Sequence, residues 1–143
     1  MKRTKNSKIT WLVMSTDKIN IKLTEAVIKR YDSSSNIQKF ETLEAGLDFV
    51  KRIVPVDNCI YLALTDLYTD TGMDGRDFMN SFTSLNVDIQ ENVLINIMSS
   101  SISQKDMLWA QEHEKVVCYL IKPLTKETIG LVVTRAKNGC ILE

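Results

Sequence analysis

Five short apolar runs punctuate the chain: Ile9–Met14, Ile37–Phe40, Cys59–Leu64, Val93–Met98 and Val116–Ile121. All but the weaker second run are nearly continuous rather than alternating, as expected of strands buried on both faces of a parallel sheet. Between them, apolar residues recur at helical spacing. One stripe is Leu23, Ala26, Val27 and Tyr31, and a second is Leu43, Leu47, Val50 and Val54. Phe78, Phe82 and Leu85 form a third, and Ile129, Val132, Val133 and Ala136 a fourth. Such stripes are the core-facing sides of helices laid on a sheet. Pro123 stops the fifth strand and Thr125 caps the last helix. Asp57-Asn58, Thr71-Gly72 and Asn138-Gly139 read as turns, and Asn86 to Asn92 as a loop. The order is βαβαβαβαβα, which predicts a doubly wound α/β fold with right-handed crossovers.

A length of 143 residues suits one domain, 1–143, with its core at about 8–137. Hydrophobic residues make up 44% and charged residues 25%, enough apolar material for one core. Lys plus Arg and Asp plus Glu both number 18, so no nucleic-acid partner is expected from net charge. The local excess at Lys2, Arg3, Lys5 and Lys8 reads as a solvated terminus. No stretch approaches the ~18 apolar residues of a membrane span, and no secretory signal is visible. Cys59, Cys118 and Cys140 are widely spaced without a CxxC pair, and the first two lie in apolar runs as buried small hydrophobes. A reducing cytoplasm is the expected compartment. The one histidine, His113, lies in a charged stretch and reads as a surface residue.

In a doubly wound sheet the site lies beyond the carboxyl ends of the strands. There the third strand ends at Asp66, the fourth at Ser99 and the fifth at Lys122. A carboxylate can attack a phosphoryl group, an ammonium can offset the charge on its oxygens, and a hydroxyl can donate to one of them. Thr65-Asp66-Leu67 followed by Gly72-Met73-Asp74-Gly75 resembles the phosphorylation loop of response-regulator receiver domains. Ile97-Met98-Ser99-Ser100-Ser101 is similar to their fourth-strand end, and Lys122-Pro123-Leu124-Thr125 to the Lys-Pro closing their fifth. The likeness runs from about Lys8 to about Lys137 and is nearest to stand-alone receivers without an output domain.

The resemblance implies a flavodoxin-like sheet in the order 2-1-3-4-5. It implies Asp66 as phosphoacceptor, Ser99 and Lys122 as phosphoryl contacts, a cis bond before Pro123, and Tyr119 as an aromatic switch. Tyr119 also reads as an ordinary half-buried strand aromatic. A histidine kinase or phosphotransfer protein would be the donor, and an unidentified downstream protein the output. In receivers the fourth helix, fifth strand and fifth helix form the partner surface. Trp109, on the predicted fourth helix, and Tyr119 would anchor it if exposed.

The pattern breaks after the first strand. Receivers carry an acid pair there that holds Mg²⁺; here Ser15 and Thr16 stand in those positions, with only Asp17 following. Mg²⁺ prefers one or two carboxylates, so its binding is expected to be weak, at most through Asp17 and Asp66. The loop after Asp66 is one residue longer than usual and lacks the customary proline. Its Asp70 reads as an exposed acid or as a substitute carboxylate. Two readings stay open: a working receiver with weakened metal binding, and a degenerate receiver acting by protein contact alone. Two enzyme or cofactor alternatives fit less well. A haloacid-dehalogenase-like phosphatase needs an acid at the position of Tyr68, and a flavin site needs glycines around Ser15 and Thr16.

Overall fold

A computed structural model describes residues 7–56 and 58–142, the last four by backbone only. Lys2, Arg3, Lys5, Asp57 and the Cys140 side chain lie outside the described residues. The strands are β1 (Lys8–Met14), β2 (Asn36–Phe40), β3 (Cys59–Asp66), β4 (Val93–Ser99) and β5 (Val116–Ile121). They form one all-parallel sheet in the order β2-β1-β3-β4-β5, as the resemblance implies. The helices are α1 (Lys18–Tyr31), α2 (Leu43–Lys51), α3 (Gly75–Phe82), α4 (Val87–Asn92), α5 (Gln104–Glu112) and α6 (Lys126–Leu142).

The pleat sends alternate residues to two cores. Trp11 and Val13 of β1, and Leu62 and Leu64 of β3, pack with Ile28 of α1 and Ile129 and Val132 of α6. Leu12 and Met14, with Ala63, Ile95 and Ile97, pack under Leu47 of α2 and Phe78 and Phe82 of α3. This two-sided burial is why the strands read as unbroken apolar runs.

Several local expectations need correction. Asn86 to Asn92 is not a loop: Asn86 caps α4, its Oδ1 accepting from the Asp88 N–H at 2.8 Å. No turn interrupts α6 at Asn138-Gly139. Along α1 the buried residues are Ile21, Thr24, Val27 and Ile28, whereas Leu23 is 56% exposed and Tyr31 39%. The sequence offers two overlapping stripes, and the sheet takes the one containing Thr24, whose hydroxyl points at Met98 Sδ. α2 ends before Val54, which is exposed, and Ile53 is buried in its place. Cys118 is buried as expected, but Cys59 is half-buried. Gly72 has φ of 70°, consistent with its turn reading.

Candidate functional site

The site forms where β1, β3, β4 and β5 end. Register puts Asp66 beside Met98, and the Leu67 N–H donates to the Met98 carbonyl at 3.0 Å. The Lys122 N–H donates to the Ser99 carbonyl at 2.9 Å, so β5 delivers Lys122 alongside the end of β4. Gly75 holds the start of α3 against the loop: its N–H donates to the Leu67 carbonyl at 2.8 Å. A Cβ there would lie 2.6 Å from the Asp66 carbonyl oxygen. Only glycine permits that approach.

Asp66 is 2% exposed, and its two carboxylate oxygens are already bonded. Lys122 Nζ lies 2.6 Å from Oδ1, which also accepts from Asn20 Nδ2 at 3.2 Å. Ser15 Oγ donates to Oδ2. Burial pushes the Asp66 carboxyl above its ordinary range, outweighing the opposing pull of Lys122 and Ser15. Donors at both oxygens make it a weaker nucleophile, because each bond draws charge from the carboxylate, although Oδ2 keeps a lone pair beyond the one facing Ser15.

Asp66 and Lys122, two of the residues singled out from sequence, are brought into direct contact. Ser99 is buried at the neighbouring strand end, its Oγ accepting from the Ser101 N–H at 3.0 Å. Tyr119 is half-buried, and its hydroxyl donates to the Ser101 carbonyl at 2.9 Å. The Lys122–Pro123 bond is cis. Asp17 is otherwise employed: its Oδ1 caps α1 by accepting from the Ile19 and Asn20 N–H groups at 2.9 and 3.3 Å. Asp70 supplies a backbone N–H, which donates to Thr16 Oγ1 at 3.1 Å, while its side chain is exposed. Thr16 thus ties down the lengthened loop. Glu44 Oε2 ties its other end, accepting from the Met73 N–H at 2.9 Å.

These donors do not fit Mg²⁺. The ion wants near-octahedral oxygen donors with one or two carboxylates. Here one oxygen of Asp66 faces Ser15, the other faces an ammonium, and Asp17 caps a helix. Among the described residues no group of three or more His, Cys, Asp or Glu gathers in a metal-holding arrangement.

Trp109 and Tyr119, expected to anchor a partner surface if exposed, are only partly so. Both are half-buried and pack against the α2–α3 side core, and Arg76 stacks on Trp109 with its guanidinium carbon 4.9 Å from the ring centroid. His113 ends α5, half-buried, with its ring 5.6 Å from that of Trp109. Two features escaped the sequence. Asn20 reaches Asp66 from the first turn of α1, and the cap at Asp17 was its only signal. The cluster of Tyr68, Arg76 and Ser101 around Asp106 had none.

The fold is that of response-regulator receiver domains. A receiver protein from Dyadobacter fermentans superposes with a TM-score of 0.78 at 15% identity, over 90% of this chain and 97% of that one. A two-component response regulator from Cytophaga hutchinsonii gives 0.79 at 18% identity, over 92% and 98%. The Mn²⁺-bound form of response regulator Rcp1 gives 0.65 at 21% identity, over 87% and 89%. No family model and no curated protein matches the sequence. No described helix is long and apolar enough to cross a membrane.

Proposed function

We propose that residues 1–143 act as one receiver-type signalling module whose output is contact with another protein, made without metal-assisted phosphorylation of Asp66. The observation that carries this reading is the Ser15 hydroxyl bonded to Asp66 Oδ2, on the side where receivers hold their acids and metal. The hydroxyl satisfies the carboxylate and supplies no charge to a cation. The output surface is then α5, β5 and α6, where a groove of about 420 Å³ is lined by Ile121, Leu131 and Arg135 among others. The compartment that suits such a module is the cytoplasm.

A second reading keeps Asp66 as phosphoacceptor, with Ser99 and Lys122 as phosphoryl contacts and Tyr119 as switch. It is favoured by the 2.6 Å pairing of Lys122 with Asp66 beside the buried Ser99. A carboxylate oxygen of Asp66 would attack the phosphorus of a phosphohistidine presented by a histidine kinase or phosphotransfer protein, forming an O–P bond as the N–P bond breaks and the imidazole leaves.

Intact-mass measurement after incubation with acetyl phosphate and Mg²⁺, beside Asp66→Asn, separates the two. The first reading expects no adduct on the folded parent, but a gain of label in a Ser15→Asp, Thr16→Asp double variant. An adduct on the parent that Asp66→Asn abolishes would replace it by the second.

A further inference from the structure

A second buried carboxylate sits beside this crevice and takes no part in the chemistry above. Asp106, on the first turn of α5, is 4% exposed. The Tyr68 hydroxyl lies 2.8 and 2.7 Å from its two oxygens. Arg76 Nη2 donates to Oδ1 at 2.7 Å, and Ser101 Oγ to Oδ2 at 2.8 Å. The Arg76 guanidinium is stacked between aromatic rings, 4.9 Å from the centroid of Trp109 and 5.7 Å from that of Tyr68. These donors hold the Asp106 carboxyl at about 2, the hydroxyl of Tyr68 and the guanidinium of Arg76 contributing most. Charge-assisted bonds of this length are the strong kind, and a stacked guanidinium loses little freedom in making them.

The cluster joins separate parts of the chain. Tyr68 belongs to the loop after β3, Arg76 to α3, Ser101 to the loop after β4, and Asp106 to α5. Ser101 is the joint. Its N–H reaches Ser99 Oγ, its carbonyl accepts from Tyr119, and its Oγ accepts from the Ser103 N–H at 3.1 Å while donating to Asp106. Whatever fixes Ser101 therefore fixes Ser99 and Tyr119 with it.

We propose that Tyr68, Arg76, Ser101 and Asp106 form a latch that holds the Ser99–Ser103 loop and Tyr119 in one arrangement, whatever the chemical state of Asp66. An element with two arrangements follows whichever interaction differs most between them. Here a pair of charged groups and two hydroxyls grip the loop from outside the phosphoryl crevice. This deepens the reading of a phosphorylation-independent module, since the partner-facing side is then preset by the latch.

Amide hydrogen exchange on the full chain tests it. Asp106→Asn and Arg76→Ala should speed exchange at residues 101–104 by about tenfold or more, the cost of losing a hydrogen bond to a charged group. Trp109 emission should shift as its guanidinium cover is lost. Asp66→Asn should leave both signals within about twofold of the parent. Tyr68→Phe removes a single hydroxyl and should give a smaller rise of the same kind, so it decides the matter if the other variants fail to fold. Folded latch variants that exchange like the parent would overturn the proposal, as would Asp66→Asn loosening the loop as much as they do. Acetyl-phosphate labelling is read separately. A labelled parent with an unchanged loop would refute the phosphorylation-independent function and leave the latch standing, whereas labelling that loosens the loop would remove both.

Discussion

Substituting Asp106 by Asn should remove a pH-dependent part of the stability, and its size follows from the site. The carboxyl sits at about 2 in the fold against 3.8 when free, so the fold favours its ionised form. At about 1.4 kcal/mol per tenfold change in proton affinity, this contributes about 2 kcal/mol. The side chain is only 6% exposed, but it lies close beneath the surface where burial acts on it weakly, so solvent screening makes this an upper value. The contribution is complete above the free value and is lost as the pH falls through about 2. Within the cluster Arg76 stays charged and Tyr68 neutral throughout this range, so Asp106 alone titrates. The assay is urea unfolding of parent and Asp106→Asn followed by far-UV circular dichroism from pH 7 to pH 3. The stability difference should be flat above about pH 5 and shrink by about 1 kcal/mol by pH 3. Taking the difference matters. Asp66, raised by burial, carries the opposite dependence, its penalty easing as the pH falls, and that term is common to both proteins. A difference that stays constant down to pH 3 would refute the claim that the three donors act on an ionised Asp106.

Lys122→Met should destabilise by about 2–3 kcal/mol at pH 7, because it strands a carboxylate that is 3% exposed, while Lys122 itself, at 21%, retains some solvent. The loss should be smaller at pH 5, where a stranded Asp66 with a raised pKa can take up a proton, and Asp66→Asn should cost less than Lys122→Met in the same urea titrations. Gly75→Ala should cost about 1–3 kcal/mol in thermal or urea unfolding, because its Cβ would meet the backbone of Asp66 at 2.6 Å and of Leu67 at 2.8 Å, atoms that cannot swing away as a flexible side chain can. A Gly75→Ala protein as stable as the parent would contradict the close approach of α3 to the Asp66 loop.

The parts legible in the sequence were those governed by short-range pattern. Strands buried on both faces leave apolar runs, and runs alternating with helical stripes fix the layer order. The strand-end rule then selects Asp66, Ser99 and Lys122 with no knowledge of side-chain geometry. Where two patterns overlapped, the sequence could not choose: Leu23 and Tyr31 of α1 fit a stripe as well as Ile21, Thr24 and Ile28, and only the sheet decided. α4 was missed because six residues carry less than two turns, too few for a period to show. Ser15 and Thr16 were legible as missing acids, but not as working hydroxyls. One holds Asp66 and the other holds the Asp70 loop, and both partners are more than 50 residues away.

The latch lies furthest beyond sequence reasoning, and it changes how the crevice should be understood. Tyr68, Arg76 and Asp106 share no local motif, and Asp106 looks like an ordinary acid in the first turn of a helix. Both side chains are almost wholly covered, but Asp106 lies close beneath the surface, so burial, the largest influence on Asp66, is a minor one on Asp106. The donors differ as well. Asp66 receives one ammonium, one hydroxyl and one amide, and burial still prevails, so its ionised form is disfavoured. Asp106 receives a guanidinium and two hydroxyls at 2.7–2.8 Å, and the balance reverses. Strongly perturbed carboxyls mark functional and structural networks alike, and here the two shifts have opposite signs. A carboxylate kept uneasy in its charged form is a poor anchor for its neighbours. One stabilised in that form is suited to holding its neighbours still. Asp106 is of the second kind, and through Ser101 what it holds is the segment that links Ser99 to Tyr119.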